Sequence, residues 1–555
     1  MTKDVENRQE DRITATDRRN FIRAATGAFA GAAAYSYSAE QPLSGTNEAL
    51  AEVVSPVPGR VRRKDAFRTR VAAARAQRVP FNPQPTNNDD ARYPDYIASF
   101  TKTLPHNNFG EVDRHAYNAL LRAFETGRPG AFERIPAGGP GRLANPQAAL
   151  AYSLEGADGW VPRMIAAPAF RSRWHAAEMV EVYWHAVLRD VSFADYGSNP
   201  LVGDAIADLS NLSDYRGPKQ NGRITPQALF RGATEGDLIG PYVSQFLYKT
   251  IPFGLNEIEQ SYRLPVVGSD YMTDQASWLA VQNGVLPSSA VPVQSERRYI
   301  RTSRDLGEFV HRDFTYQAYL QAAAILLGFG GDALSNSNFY KSSTRQGGFI
   351  TQGGGDVFDM VAKAAVYSLK SAWYQKWIAH RRLRPEMMSG RVHFALTQNK
   401  PYEISEELLS STALEKIFEA NGTYFLPMAY PEGSPTHPSY PAGHATVAGA
   451  CCTVLKAFFD NDFEIPNPQV PSRDGLRLEA YSGSETLTIG NELNKLAFNM
   501  ALGRDLAGVH YRTDGSEGIL IGEQVAVALL RDLKRTYNED VKFRFTSFEG
   551  ETIRI

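Results

Sequence analysis

Glu432-Gly433-Ser434-Pro435-Thr436-His437-Pro438-Ser439-Tyr440-Pro441-Ala442-Gly443-His444 runs directly into Ala445 to Phe459, small and apolar residues without a proline. That run has the composition of a buried helix, and its first turn begins at Gly443 and His444. A helix start leaves backbone N–H groups unpaired and carries a partial positive charge, which makes it an anion site. Two histidines, His437 and His444, stand beside it.

Around this stretch the chain reads as all-α. Apolar residues recur at helical spacing in Phe170 to Leu188 and in an unusually long segment, Asp356 to Leu383, where Val357, Met360, Val361, Ala364, Ala365, Leu369, Ala372, Trp373 and Trp377 form one stripe. Shorter helices are expected at Tyr96 to Thr103, His115 to Glu125, Pro146 to Leu154, near Gly240 to Leu247, Leu306 to His311, Tyr316 to Leu327, Leu493 to Leu502 and Gly518 to Leu530. Alternating runs are scarce, and Tyr262 to Val267 is the best strand. His175 and His185 lie on the first long helix without acidic or histidine partners at ligand spacing, so structural roles are expected for both.

The chain has 555 residues, 43% hydrophobic and 22% charged, with a formal net charge of −2, enough to build a large core and more than one unit. The balanced charge and the lack of a basic tract exclude nucleic acid as a partner. Cys451 and Cys452 are adjacent on a predicted helix and cannot close a bridge of normal geometry, so both read as small core residues. Arg18-Arg19, the apolar run Ala24 to Ala34 and the small residues up to Ala39 resemble a twin-arginine export signal over 1–39, implying a periplasmic or extracellular protein exported folded. No stretch reaches the roughly 20 apolar residues of a membrane span. Residues 40–95, broken by Pro56, Pro58, Pro80, Pro83 and Pro85, read as an extended arm; 96–305 and 306–555 read as an N-terminal and a C-terminal helical unit.

Gly347 to Asp356 is glycine-rich but lacks the Gly-Lys-Ser/Thr ending of a phosphate loop. Its carbonyls with Asp356 and Asp359 could hold calcium, although a turn with Asp356 as helix N-cap accounts for it more cheaply.

Two further segments complete a constellation. Lys376 to Pro385 concentrates cations, with Pro385 expected to end the long helix just after Arg384; Gly503 to Asp514 carries Arg504, His510 and, four residues on, Asp514. Arg384 and Arg504 can each grip two oxygens, Lys376 adds a point charge and the Gly443 N–H a backbone donor, which suits an oxyanion such as phosphate or vanadate. His510 is then free as a nitrogen donor to the central atom, Asp514 fixes its tautomer, and His444 remains as acid/base.

Lys376, Arg384-Pro385, Pro441-Ala442-Gly443-His444, Arg504, His510 and Asp514 resemble the signature shared by vanadium-dependent haloperoxidases and the related acid phosphatases. Glu432 to Pro441, Gly508 to Asp514, Gly236 to Tyr242 and Arg312 to Tyr319 are similar to the bromoperoxidases of algae and cyanobacteria. The resemblance implies two four-helix bundles, a vanadate cofactor bonded to His510, hydrogen peroxide and bromide or iodide as substrates, and a hypohalous-acid equivalent that halogenates small organic acceptors. It implies that His437 tunes the activated peroxide and halide access, and that the protein is a homo-oligomer. A phosphomonoester hydrolase using the same cradle and a non-catalytic oligomeric relative are the alternatives. One position departs: Ala442 stands where the family has serine, so one hydroxyl donor to the bound oxyanion is missing.

Overall fold

A computed structural model describes residues 59–287 and 290–555, so the export-signal reading of 1–39 and the first part of the arm lie outside the described residues. In chain order the helices of eight or more residues are α1 (Gly59–Ala76), α2 (Arg114–Thr126), α3 (Arg173–Val187), α4 (Pro200–Asn211), α5 (Gln275–Gln282), α6 (Ser303–Arg312), α7 (Gln317–Gly328), α8 (Gly354–Tyr374), α9 (Pro385–Gln398), α10 (Thr412–Asn421), α11 (Gly443–Phe458), α12 (Ile489–Leu506) and α13 (Arg512–Lys534). The strands form separate two-stranded antiparallel pairs: Ile251–Phe253 with Asn256–Ile258, Tyr262–Pro265 with Val293–Arg298, Gln469–Pro471 with Leu478–Ala480, and Arg544–Thr546 with Thr552–Arg554. The all-α reading holds.

α11 is the axis of the C-terminal half. From Ala445 to Phe458 every residue is buried. A Cβ on Gly449 would collide with the Ile519 carbonyl, and one on Gly522 with the Thr446 carbonyl, so glycine lets the α11 and α13 backbones touch. α8 and α12 pack on its other flanks. α3 is buried nearly all round, with Met179, Val180, Tyr183 and Trp184 inaccessible, and Ser172 caps it by accepting from the His175 N–H. The main hydrophobic cluster gathers buried residues from Tyr93 to Phe548.

The structure corrects several local expectations. Tyr96 to Thr103 is not helical: Tyr96 and Thr103 take positive φ of 61° and 75°. The segment instead pairs with the chain after α8, Phe100 N–H donating to the Arg381 carbonyl at 2.8 Å. Gly240 to Leu247 forms only the tight turn Gln245–Leu247, because Gly240 sits at φ 66° and Pro241 follows. Pro146 to Leu154 shrinks to a single tight turn, Pro146–Leu150. The arm is not wholly extended, since α1 falls within it; beyond α1, Gln84 donates to the carbonyls of Trp160 and Pro162, both at 3.1 Å.

The most consequential correction concerns the long helix. α8 passes into a wider turn, Gln375–His380, and stops at Arg381, which adopts φ 43°. Pro385 does not end it but opens α9 at its first position, where a missing N–H costs nothing. Residues 381–384 are therefore a non-helical strap between two helices, left-handed at Arg381, with Arg382 bridged to Ser99 and Arg384 extended. Asp356 is not the N-cap of α8; Gly353 is, and the Asp356 carboxylate accepts from the Gln352 N–H at 2.6 Å and the Tyr537 hydroxyl at 2.6 Å. Asp359 pairs with Lys363 at 3.0 Å, so both carboxylates considered for calcium are engaged elsewhere.

Candidate functional site

The three segments converge. His510 and Asp514 lie at the start of α13, Arg504 at the end of α12, Gly443 and His444 at the start of α11, Lys376 in the turn after α8, and Arg384 on the strap just before α9. Ala442 is the N-cap of α11; its N–H donates to the Asp514 carbonyl at 2.8 Å, which locks the start of α11 to that of α13.

His510 is held from both ends. Its Nδ1 meets Asp514 Oδ2 at 2.8 Å and its Nε2 meets Arg384 Nη1 at 2.8 Å. With the proton on Nδ1, donated to the carboxylate, Nε2 keeps the lone pair. Burial, followed by the charges of Arg384 and Lys376, pushes the ring's pKa well below its ordinary value, so it is neutral and available as a donor. Arg384 also donates to the carbonyls of Val509 at 2.7 Å and His437 at 3.0 Å, and to His437 Nδ1 at 3.0 Å. His437 is buried and lies 4.8 Å from the Trp373 ring.

The electrostatics show what the pocket lacks. Lys376 Nζ donates only to the carbonyls of Pro438 and Ser439, both at 2.7 Å, and Arg504 Nη1 to the Val310 carbonyl at 3.0 Å, while Arg504 Nε is buried without a partner. Lys376, Arg384 and Arg504 are all buried, and none is paired with a carboxylate among the described residues. Asp514, the nearby anion, is occupied by Arg382, His510, the Ser439 hydroxyl and the Tyr511 N–H. Burial pushes the Lys376 amine well below its usual range and brings the Arg384 guanidinium down to about 9. Buried cations without counter-charge are costly, and a bound anion is what would relieve them. The donor set fits a tetrahedral or trigonal oxyanion: two guanidinium groups, an ammonium, the free N–H groups at the start of α11 and an imidazole lone pair.

His444 is set apart. Its ring is 31% exposed and its Nε2 lies 2.9 Å from Oδ1 of Asp313, whose carboxylate is buried just beyond the end of α6. The loop that carries His437 is tied down from below. Buried Lys102 pairs with Glu386 at 2.8 Å and donates to the carbonyls of Glu432 and Ser434.

The sequence reading missed several of these groups. Asp313 appeared only within a family-like stretch, 131 residues from the histidine it contacts. Arg381 and Arg382 read equally as facing the site entrance or as a solvated helix end, whereas Arg381 pairs with Asp90, and Arg382 is buried between Asp514 and Glu178. His175 and His185 are buried in α3, His175 accepting from Arg382 and His185 edge-on to Phe230. His380 packs on Tyr440 at 4.8 Å.

Comparison with known proteins gives consistent matches. A family model described as the VCPO second helical-bundle domain matches residues 357–539. The vanadium-dependent bromoperoxidase of Ascophyllum nodosum is 35% identical, the match covering 90% of this chain and 93% of that protein. That of Corallina pilulifera is also 35% identical, over 89% of this chain and 98% of that protein. Among solved structures, the homohexameric second vanadate-dependent bromoperoxidase of Ascophyllum nodosum superposes with a TM-score of 0.85 at 30% identity, covering 93% of this chain and 94% of that one.

Proposed function

The chain belongs to the vanadium-dependent bromoperoxidase family, and from that footing we propose that it oxidises bromide and iodide with hydrogen peroxide, yielding a hypohalous-acid equivalent that halogenates small organic acceptors. The observation that carries the reading is the buried cluster of Lys376, Arg384 and Arg504, without carboxylate partners among the described residues, whose charges all bear on His510 and of which Arg384 meets its Nε2. These residues, with the Gly443 and His444 N–H groups, would hold vanadate, and His510 Nε2 would be its nitrogen ligand. Bound vanadate supplies a Lewis-acidic centre that activates peroxide without changing its own oxidation state.

The chain's own residues supply the rest. Converting peroxide and bromide to hypobromous acid and water consumes one proton, and His444 is placed to deliver it. With Nε2–H donated to Asp313, Nδ1 is the atom that takes up and releases the proton. Asp313 holds that tautomer. His437, fixed by Arg384 and Trp373, contributes an imidazole edge to the pocket and would tune halide access. Ala442 offers no hydroxyl, so vanadate is held by one donor fewer than in the family pattern.

Beyond the reaction, we infer a homo-oligomer, supported by the homohexameric relative, and export directed by Arg18-Arg19. Among the described residues no helix is long and apolar enough to cross a membrane.

The test is a halide panel assayed by dye halogenation, with and without added orthovanadate. Bromide and iodide turnover that requires vanadate and disappears in His510→Ala is the expected result. Absence of halogenation at saturating vanadate, with hydrolysis of a chromogenic phosphate ester instead, overturns it.

A further inference from the structure

The vanadate reading assigns no task to Arg382, yet its side chain ties together several parts of the site wall. Its Nη1 donates to Asp514 Oδ1 at 2.8 Å, and its Nη2 to Glu178 Oε2 at 2.8 Å and to His175 Nδ1 at 2.9 Å. Its guanidinium carbon lies 4.0 Å from the centre of the Tyr511 ring. Its backbone carbonyl accepts from the Ser439 N–H at 3.0 Å, and the Ser439 hydroxyl in turn donates to Asp514 Oδ2.

This arrangement divides the Asp514 carboxylate between two tasks. Oδ1 is anchored by Arg382, which leaves Oδ2 facing His510 Nδ1, the Ser439 hydroxyl and the Tyr511 N–H. Arg382 and Arg384 are alternate residues of the strap, and in an extended chain alternate residues share a side. Arg384 meets the His510 ring directly at Nε2, and Arg382 meets it through Asp514 at Nδ1. We propose that Arg382 is a positioning residue for the vanadate ligand: by fixing Asp514 it sets which nitrogen of His510 carries the proton and where the Nε2 lone pair points. A buried arginine that merely bridged α3 and α13 would need neither the carboxylate whose other oxygen holds His510 nor the Ser439 link.

The inference rests on the vanadate reading for its consequence but not for its primary measurement, which is made on the cofactor-free protein. Glu178 must be treated together with Arg382, because removing the arginine alone strands two buried carboxylates. Arg382→Lys keeps a charge but loses the fork; Arg382→Gln combined with Glu178→Gln removes a balanced pair. The ring 15N shifts of His510 are read first. In the unsubstituted protein one protonated Nδ1 and one bare Nε2 are expected, and in both variants a mixture of tautomers. A His510 pattern identical to that of the parent in both folded variants overturns the proposal.

Orthovanadate titration followed by 51V NMR comes second. Arg382→Lys should weaken binding about tenfold or more, the size typical of losing a group behind a metal ligand. Adding Arg382→Lys to Asp514→Asn should cost less than about twofold more, since the effect passes through Asp514. Fully multiplicative losses would mean that Arg382 acts by another route and would also overturn the proposal. If the unsubstituted protein binds no vanadate, the functional reading fails, while the 15N result still decides the role of Arg382.

Discussion

Ala442→Ser restores the hydroxyl that this chain lacks, and the structure gives the size of the gain. Ala442 is fully buried and caps α11 with φ −68° and ψ 127°, yet supplies no side-chain cap. Its carbonyl already accepts from the N–H of Thr446 at 3.0 Å and its hydroxyl at 2.9 Å, so the backbone is fixed and only the side-chain donor is missing. A serine there gains twice. Its oxygen can accept from an N–H of the first turn, worth about 1 kcal/mol of stability, and its O–H remains to donate to the bound anion. A hydrogen bond to a charged acceptor contributes about 1.5 to 3 kcal/mol, which corresponds to roughly ten- to a hundredfold in affinity. Apoprotein is titrated with orthovanadate, with dye bromination and 51V NMR as readouts and thermal unfolding in parallel. The expected result is a tighter Kd by that factor, a small rise in Tm and little change in kcat at saturating vanadate. A Kd unchanged within about twofold in a variant that folds at least as stably would show that the 442 side chain does not reach the ligand, and the donor-deficit reasoning would be wrong.

Four other outcomes follow from named contacts. Asp313→Asn should lower kcat by about 10- to 100-fold, within the range of a general acid/base contribution, and leave vanadate Kd within about threefold, as steady-state bromination and titration will show. Inorganic phosphate at 100 times its Kd should stabilise the apoprotein by about 2.7 kcal/mol, and Lys376→Met should abolish most of that shift in thermal unfolding. His185, edge-on to Phe230 with both ring nitrogens unpartnered, has its pKa lowered by burial to about 4. The folded state therefore takes up its proton at lower pH than the unfolded chain, and stability present above about 6.5 is lost as pH falls towards 4. His185→Phe should reduce that loss by up to about 3 kcal/mol in urea titrations at pH 7 and pH 4. Finally, every methionine among the described residues is buried, as are Cys451 and Cys452, so hypobromite meets no surface sulfur among the described residues. Leu255→Met, at a fully exposed hairpin tip, should acquire one sulfoxide during turnover, seen by peptide mass mapping, while the eight buried methionines, Met164 to Met500, stay reduced.

The helical architecture was largely legible because α3, α8, α11 and α12 carry long apolar repeats, and the convergence of the proposed cradle's segments was legible because glycine, histidine and arginine sit at fixed short spacings around helix ends. What escaped was set by tertiary contact. Tyr96 to Thr103 has helix-compatible composition, but its backbone is used to pair with the strap at Arg381. Pro385 reads equally well as the end of one helix or the first residue of the next, and only the turn at Arg381 decides between them. Asp313 and Glu178 could not be found by spacing, because each reaches its partner, His444 or Arg382, across more than a hundred residues of chain. α1, α4, α5, α9 and α10 were missed, and α9 includes Glu386, His393 and Arg391 on a helix that is buried for most of its length, so it lacks the apolar stripe that marks an amphipathic helix.

The strap at 381–384 is where these failures meet, and the reason is functional. An uninterrupted α8 would place residues 382 and 384 about 200° apart around its axis, so both arginines could not address one ligand. Breaking the helix with a left-handed residue, and restarting it at Pro385, makes the chain extended for the few residues in which two arginines must reach either end of one imidazole. That geometry costs local strain at Arg381 and is held by the Phe100 contact and the Arg381–Asp90 ion pair. The electrostatics follow the same logic. Arg382 is neutralised by Glu178 and Asp514, whereas Arg384, Lys376 and Arg504 are denied carboxylates and left with carbonyls and imidazoles. Pairing those three with acids would stabilise the apoprotein and fill the positions an oxyanion must occupy. In the proposed vanadate site their isolation leaves those positions free for the oxyanion, sustained by a core large enough to bear it.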